Sequence, residues 1–275
     1  MIQQNTPEWL EMRKSKIGAS DAPIIMKKSP YKTPYRLWQE KMSLEEPEAT
    51  NSVMQYGIDM EPVARKALED KLEMPLEPIV RLHNQRSWMM ASMDALNIHY
   101  CIAAEIKCAS AEDHGTAAAG ELPEKYFPQL QHQLEVCGLD EMYYFSFHNQ
   151  EGILLTVPRN EKYIKVLIEE EEKFLECMQK FEAPPLMDKD YRYIGDPHWT
   201  HLAERLKALK ILQEEEKKIR EELIALADGQ NCMGAGIKVA KLKRKGTVDY
   251  SKVPELQGIN LEPYRKEMTD YWRIS

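Results

Sequence analysis

The spacing of apolar residues changes abruptly along this chain, and that change constrains the fold more than any other feature of the sequence. Between residues 53 and 73 apolar residues recur at helical spacing. Short apolar or alternating runs then predict strands at 79–82, 87–92, 94–98 and 102–108. A helix at 126–138, strands at 142–148 and 152–157, and a helix at 160–181 follow. This order predicts an α/β fold, a mixed β-sheet with helices packed on it.

A Pro-rich, polar stretch from Ala183 to Pro197 predicts a domain boundary, with a first domain at 1–195 and a C-terminal extension at 196–275. The extension reads as a long helix, then a basic β-hairpin at 237–243 and 246–250, then a terminal strand at 271–274. The helix carries a heptad-like apolar seam from Leu202 to Leu226. Such a seam must be buried, either on residues 237–274 or on another subunit or partner protein.

Composition excludes several classes of protein. The five cysteines are odd in number and have no C-x-x-C spacing, which argues against a disulfide scaffold, a zinc ribbon or a clustered iron–sulfur site. A mean hydropathy of −0.57 and the lack of a long apolar run predict no membrane span. The first residues lack a basic and an apolar leader segment, so we expect a cytoplasmic location.

The charge is unevenly distributed. The net charge of −8 at first disfavours a nucleic-acid partner. Between Arg13 and Lys41, however, eight basic residues face two acids, a local charge of +6. This early segment is therefore where we expect an anionic ligand.

Two carboxylates and a lysine are spaced so that they can converge. Because alternate residues of a strand share a face, Glu105 and Lys107 project together, and a hairpin of 94–98 with 102–107 brings Asp94 to Glu105. Oxygen ligands of this kind suit Mg²⁺ or Mn²⁺, and a lysine beside them can orient or help to deprotonate a water. The spacing alone is weak evidence, because a surface ladder of ion pairs would give the same pattern.

Several motifs in a fixed order resemble the PD-(D/E)xK nucleases, and within them the phage lambda exonuclease and YqaJ-like viral recombinase family. The similar segments are Trp9–Asp21, Ser29–Trp38, Gly57–Arg65, Ala91–Asp94 with Glu105–Cys108, and Tyr126–Leu134. Two positions depart from the family pattern: Met93-Asp94-Ala95 replaces Pro-Asp-Gly, and Ala109 replaces a proline. Neither change removes a ligand. The last 80 or so residues have no counterpart in the lambda enzyme.

The resemblance implies a restriction-endonuclease-like mixed sheet and a Mg²⁺-dependent exonuclease, with Mn²⁺ able to substitute and one or two ions per site. It implies 5′→3′ degradation of linear double-stranded DNA in phage-type recombination and end resection. A trimeric ring and a single-strand annealing protein as partner are implied in the same way. The alternatives are a junction-resolving or restriction-like endonuclease on the same fold, and a non-catalytic module that binds DNA ends or partners.

The resemblance also assigns roles at the acidic end of the site. Asp94 and Glu105 would bind the metal directly, together with the carbonyl of Ile106. Glu61 would hold a second metal or a metal-bound water, or simply pair with Arg65 on its own helix. Lys107 would activate the water.

A further set of residues is assigned to DNA. Arg13 and Ser20 would hold a phosphate, in particular the 5′-phosphate of a strand end, because arginine binds phosphate through a planar fork. Ser92, Tyr126, Gln129 and Gln131 are assigned to the DNA backbone or the metal water, with a structural hydroxyl or buried amide as the alternative for Ser92 and Gln129. In the extension, the predicted DNA contacts are Lys243, Arg244 and Lys245.

Overall fold

The computed structural model describes residues 4, 6–46, 51–247, 252–254 and 259. The chain divides into two compact units, Met1–Tyr193 and Ile194–Ser275. This division falls close to the boundary predicted after residue 195.

The first unit contains seven helices and six strands among its described residues. In chain order they are α1 (Pro7–Ser15), β1 (Ile17–Gly18), α2 (Ala22–Ile25), α3 (Pro34–Lys41), α4 (Ser52–Leu72), β2 (Glu77–Leu82), β3 (Met89–Asn97), β4 (Ile102–Cys108), α5 (Ala111–Ala118), α6 (Phe127–Cys137), β5 (Glu141–His148), β6 (Glu151–Pro158) and α7 (Glu161–Lys180). Single 3₁₀ turns lie at Ala19–Asp21, Glu124–Tyr126 and Asp188–Asp190. Five of these helices, α1, α3, α4, α5 and α7, begin at side-chain caps. Thr6, for example, accepts a hydrogen bond from the Trp9 amide, and Asn51 accepts from the Met54 amide.

The six strands form one mixed sheet in the order β1-β3-β4-β5-β6, with β2 also paired to β3. The pairs β1–β3 and β4–β5 are parallel, and β2–β3, β3–β4 and β5–β6 are antiparallel. The predicted mixed α/β sheet flanked by helices is confirmed.

Each face of the sheet is covered by a helix. The apolar side chains of α6, Leu130 and Leu134, pack on Met89 and Met93 of β3. On the other face, Leu68 of α4 belongs to a cluster with β4 and β5, which contains Ala64, Ala95, Ala104, Ile106, Phe145 and Phe147. Both helices are thereby fixed against the strands that carry Asp94 and Glu105.

Two predicted elements differ from the structure. The sequence predicts a first helix over residues 6–18, but this helix ends at Ser15, and Ile17–Gly18 instead pairs in parallel with Met89–Met90. The strands predicted at 87–92 and 94–98 form one strand, β3, because sheet hydrogen bonds continue past Met93 on the β2 side.

The second unit begins with a long helix, α8 (Pro197–Leu226), which is capped by Asp196 and has no buried residue. A short hairpin follows, made of β7 (Cys232–Gly234) and β8 (Ile237–Val239). The predicted pairing of 237–243 with 246–250 is therefore wrong in position, since Ile237–Val239 pairs with Cys232–Gly234 instead. Residues 248–250 of the predicted second strand lie outside the described residues. The chain turns at Ala235 and Gly236, which both adopt positive φ as a tight hairpin turn requires. The terminal strand predicted at 271–274 lies outside the described residues.

Candidate active site

An open stretch on one edge of β3 forms the candidate site. β2 follows one edge of this strand from Met90 to Leu96. A strand has only two hydrogen-bonding edges, so β1 and β4 share the other one. β1 pairs with residues 89–90 and β4 with residues 95–97, which leaves 91–94 between them without a strand partner on this edge among the described residues. A cavity of about 490 Å³ lies here.

A bulge in β3 directs Asp94 into this cavity. Between Met93 and Leu96 the strand advances by three residues, while its partner β2 advances only from Ile79 to Glu77. The extra residue of a bulge changes the direction in which a side chain points. The Asp94 Oδ2 then accepts a hydrogen bond from the Ile106 amide at 2.9 Å, beyond the last β3–β4 backbone pair.

The carboxylates of Asp94, Glu105 and Glu61 are close enough to affect one another. Burial raises the pKa of Asp94 well above its usual range, and the neighbouring Glu105 carboxylate adds to this. Burial also raises the pKa of Glu61, although its Arg65 partner opposes the shift. Burial and mutual repulsion thus both disfavour the charged forms of Asp94 and Glu61.

Glu105 is held by three donors. Lys107 Nζ donates to Glu105 Oε1 at 2.5 Å, and Gln129 Nε2 donates to the same oxygen at 2.6 Å. One turn later on α6, Gln133 Nε2 donates to Glu105 Oε2. Since two of the three donors are neutral amides, the orientation of Glu105 is fixed by more than its ion pair with Lys107.

Lys107 lies above the ring of Tyr126, with Nζ 5.3 Å from the ring centroid. Although burial acts in the opposite direction, the carboxylates of Glu105 and Asp94 raise the pKa of Lys107. The Tyr126 hydroxyl donates to Asp113 at 3.2 Å. Lys107 is therefore held as an ammonium group that can donate hydrogen bonds to a ligand in the cavity.

The other end of the cavity is basic. Arg13 donates from Nη2 to Ser20 Oγ at 2.9 Å and to Asp21 Oδ1 at 3.3 Å. Its guanidinium lies 5.0 Å from the Trp9 ring centroid, and the Trp9 indole donates to Ser92 Oγ at 2.9 Å. The Arg13 guanidinium is thus held along one edge by Ser20 and Asp21 and on one face by Trp9. A third of the Arg13 side chain remains exposed.

Ten of the predicted site residues line this one cavity. They are Arg13, Ser20, Glu61, Ser92, Asp94, Glu105, Ile106, Lys107, Tyr126 and Gln129. Glu61 also pairs with Arg65, the alternative that the helical spacing predicts.

The structure corrects the assignment of Gln131 to DNA. Its side chain is fully buried, and its amide donates to the Pro158 carbonyl and accepts from the Asn160 amide. Because all these partners are backbone groups at the end of β6, Gln131 connects α6 to the sheet. Lys243, Arg244 and Lys245 belong to the second unit, where all three are exposed.

Two residues beside this cavity, Gln133 and Lys41, have no role that the sequence motifs predict. Gln133 lies one helical turn after Gln129, a spacing that could have identified it as a second amide facing Glu105. Lys41 is nearly buried against Asp21, at 2.6 Å from its Oδ2. No local pattern predicts this contact, because α3 reaches the first helix only in the folded chain.

The donor set suits a hard divalent cation. It offers carboxylate oxygens of Glu61, Asp94 and Glu105 and the carbonyl of Ile106, which all line the same cavity. As arranged here, the part of the chain that the structure describes has no preformed cluster of three His, Cys, Asp or Glu ligands. Glu61 is held by Arg65 instead.

Comparison with known proteins agrees with the sequence motifs. Residues 8–140 match the family described as the YqaJ-like viral recombinase domain, which confirms the predicted resemblance over this region. Uncharacterized protein YqaJ of Bacillus subtilis (strain 168) is 29% identical over 134 residues, 48% of this chain and 42% of YqaJ. The chain therefore matches less than half the length of this curated relative.

Two solved structures of one enzyme share the fold. The alkaline exonuclease LHK-Exo from Laribacter hongkongensis has a TM-score of 0.56 and 22% identity, over 64% of this chain and 94% of that one. LHK-Exo in complex with dAMP gives the same values. In the described part of this chain, no helix has the length and apolar character needed to cross a membrane.

Proposed function

We propose that this chain, whose residues 8–140 match the YqaJ-like viral recombinase domain, is a Mg²⁺-dependent exonuclease that degrades one strand of linear double-stranded DNA from its 5′ end. One observation carries the proposal. Asp94, Glu105 and Lys107 lie at one end of a single cavity, and Arg13 and Ser20 lie at the other. The cavity thus combines residues suited to hydrolysing a phosphodiester with residues suited to binding a phosphate.

The basic end would bind the terminal phosphate. The Arg13 guanidinium still has donors directed away from Asp21, and Ser20 adds an exposed hydroxyl. Hydrolysis of the next phosphodiester breaks its bond to the 3′ oxygen and adds water, which releases a 5′-mononucleotide. The shortened strand again carries a 5′-phosphate, so the same residues would bind each new end.

The acidic end would perform the hydrolysis. Asp94, Glu105, the Ile106 carbonyl and Glu61 would hold Mg²⁺, which when bound polarises water and stabilises negative charge on the phosphate. Gln129 and Gln133 keep Glu105 in place. Lys107, as an ammonium group, has no lone pair for a proton, so it would orient the water or a phosphate oxygen by donating a hydrogen bond.

The finer features of the proposal are supported by similarity. LHK-Exo is described as an alkaline exonuclease, and its complex with dAMP contains a nucleoside monophosphate of the kind this reaction would release. The 5′→3′ direction and a role in phage-type recombination follow from resemblance to the viral recombinase family. The same resemblance supports a trimeric ring and an annealing protein as partner. Light scattering of the purified protein tests the trimer directly.

The direction of degradation can be tested with a linear duplex labelled at either end of one strand. With Mg²⁺, we expect a 5′ label to be released as mononucleotide from the start, and a 3′ label only late. EDTA should stop the reaction. Covalently closed circular DNA should remain intact, whereas nicking of the circle would indicate an endonuclease.

Lys107→Met tests the proposed site. It should reduce the rate by at least about 100-fold while DNA binding stays nearly intact, because a donor at the reacting phosphate acts mainly in the transition state. Lys66→Met is the matched control, since Lys66 is an exposed lysine on α4 that does not line the cavity. Near-normal turnover by Lys107→Met would contradict its assigned role.

A further inference from the structure

The orientation of Arg13 is fixed by Asp21, a residue to which neither the motifs nor the proposed function gives a role. Asp21 is nearly buried and makes three contacts. Its Oδ1 accepts from Arg13 at 3.3 Å, and its Oδ2 accepts from the Gly18 amide at 2.8 Å and from Lys41 at 2.6 Å. The carboxylate therefore connects Arg13 to the 3₁₀ turn that carries Ser20.

Lys41 is held equally firmly. Only 6% of its side chain is exposed, and its ammonium donates to Asp21 and to the carbonyls of Arg13, at 2.7 Å, and Lys16, at 2.8 Å. Three acceptors match the three N–H donors of a charged lysine. The Arg13 carbonyl lies in the last turn of α1, where helix carbonyls have no partner within the helix. Lys41 thus fixes both the carboxylate and the helix end that carries Arg13.

The net charge of Arg13, Asp21 and Lys41 decides how strongly this part of the cavity attracts a phosphate. Asp21 alone beside Arg13 would form a neutral pair, which attracts a phosphate weakly. Lys41 supplies a second positive charge that is almost inaccessible to ligands, so the three side chains sum to +1. Because Lys41 and Asp21 are buried, that charge is presented at Arg13, whose side chain is 33% exposed.

We propose that Lys41 is a positioning residue that neutralises Asp21 and so leaves the charge of Arg13 available for the terminal 5′-phosphate of a DNA strand. The inference rests on the proposed function, since it explains how the same cavity would distinguish phosphorylated from hydroxyl ends. Asp21 contributes the orientation of the guanidinium. Lys41 contributes charge balance without touching the ligand.

The experiment measures binding in EDTA of two duplexes that differ only in a 5′-phosphate or a 5′-hydroxyl at the end. The readout is the ratio of the two dissociation constants, which a general loss of stability does not change. Lys41→Met should reduce the preference for phosphate about tenfold, comparable to losing one hydrogen bond to a charged group. The double variant Lys41→Met with Asp21→Asn removes both buried charges and restores the sum to +1. It should therefore recover the preference to within about threefold of wild type.

Lys32→Met is the control, because Lys32 pairs with Glu40 of α3 and does not line the cavity. An unchanged ratio in Lys41→Met, or no recovery in the double variant, would overturn the inference while the nuclease proposal stands. If Lys41→Met does not fold, the double variant decides, since a lost preference there contradicts the role of charge balance. Failure of the wild-type protein to hydrolyse DNA with Mg²⁺ would instead refute the proposed function.

Discussion

At the scale of single residues, Glu105 shows how a buried carboxylate is held in place by neutral amides as well as by an ion pair. Gln133 is fully buried and donates to Glu105 Oε2, yet its own Oε1 has no hydrogen-bond partner among the residues that the structure describes. An unpartnered buried acceptor costs about 1–3 kcal/mol. The amide must point its NH₂ group at the carboxylate, so this cost accompanies the fixed orientation of Glu105.

Gln133→Leu should therefore affect metal binding more than stability. Leucine removes the donor to Glu105 together with the unpartnered oxygen, so the two effects on the free energy of unfolding largely offset each other. Without this donor, Glu105 keeps its two donors at Oε1, Lys107 and Gln129, but its Oε2 is no longer held in place. We expect the Mg²⁺ concentration for half-maximal hydrolysis to rise roughly 10- to 100-fold, as is typical when the residue that orients a metal ligand is removed.

Gln131→Leu is a stringent control for this change. Gln131 is a buried amide on the same helix, but its partners are backbone groups of Pro158 and Asn160. Its replacement should lower the melting temperature and leave the Mg²⁺ requirement as it is. Equal Mg²⁺ curves for Gln133→Leu and wild type would show that Gln133 does not position Glu105.

At the scale of elements, a buried pair connects α6 to α7 and to β3. His132 Nδ1 lies 2.7 Å from Glu171 Oε1, and Nε2 lies 3.0 Å from the Met90 carbonyl. A carbonyl only accepts, so Nε2 carries a proton. The contact between Nδ1 and Glu171 needs a second proton, which the two side chains share. Although burial opposes it, Glu171 raises the pKa of His132, and burial raises the pKa of Glu171.

This pair makes stability depend on pH. In the unfolded chain His132 loses its proton near pH 6.5, whereas the folded pair keeps the shared proton to higher pH. The folded state then binds more protons, so the free energy of unfolding should fall as pH rises above about 6.5. The slope approaches about 1.4 kcal/mol per pH unit, equivalent to one proton, until the folded pair itself titrates.

Urea unfolding at pH 6.5, 7.5 and 8.5 measures this slope. Glu171→Gln replaces the shared proton with a fixed N–H donor, so the variant should lose most of the pH dependence. Glu176→Gln, on the exposed face of the same helix, should keep the wild-type slope. If the free energy of unfolding falls with pH as steeply in Glu171→Gln as in wild type, His132 and Glu171 do not share a proton.

At the scale of the whole molecule, the basic residues of the second unit are a separate candidate for binding DNA. Lys243, Arg244 and Lys245 follow the β7–β8 hairpin and are exposed. Replacing all three by alanine should weaken DNA binding. It should also reduce the slope of log affinity against log salt by about 0.9 for each phosphate that the variant no longer neutralises.

The triple alanine variant of Lys207, Lys210 and Lys217 is the control, since these exposed residues of α8 carry the same charge. A salt slope that changes equally in both variants would reflect net charge alone. An unchanged slope in the first variant would show that Lys243, Arg244 and Lys245 do not bind DNA.

Local patterns in the sequence determined most of the helices and strands, the alternation that puts Glu105 and Lys107 on one side of β4, and the motifs that resemble the YqaJ-like viral recombinase domain. Each of these features depends on residues only a few positions apart, so it is visible in the periodicity of the sequence. The tertiary structure alone decided the features that join distant segments. The bulge that directs Asp94, the edge of β3 shared by β1 and β4, and the contact of Lys41 with Asp21 each depend on where separate elements pack. The buried position of Gln131 and the place of the C-terminal hairpin were mispredicted for the same reason. The apolar pattern of a helix does not show which of its polar residues, such as Gln131, will contact backbone groups. Short strands in a charged segment, such as those of the C-terminal hairpin, leave only a weak periodic signal.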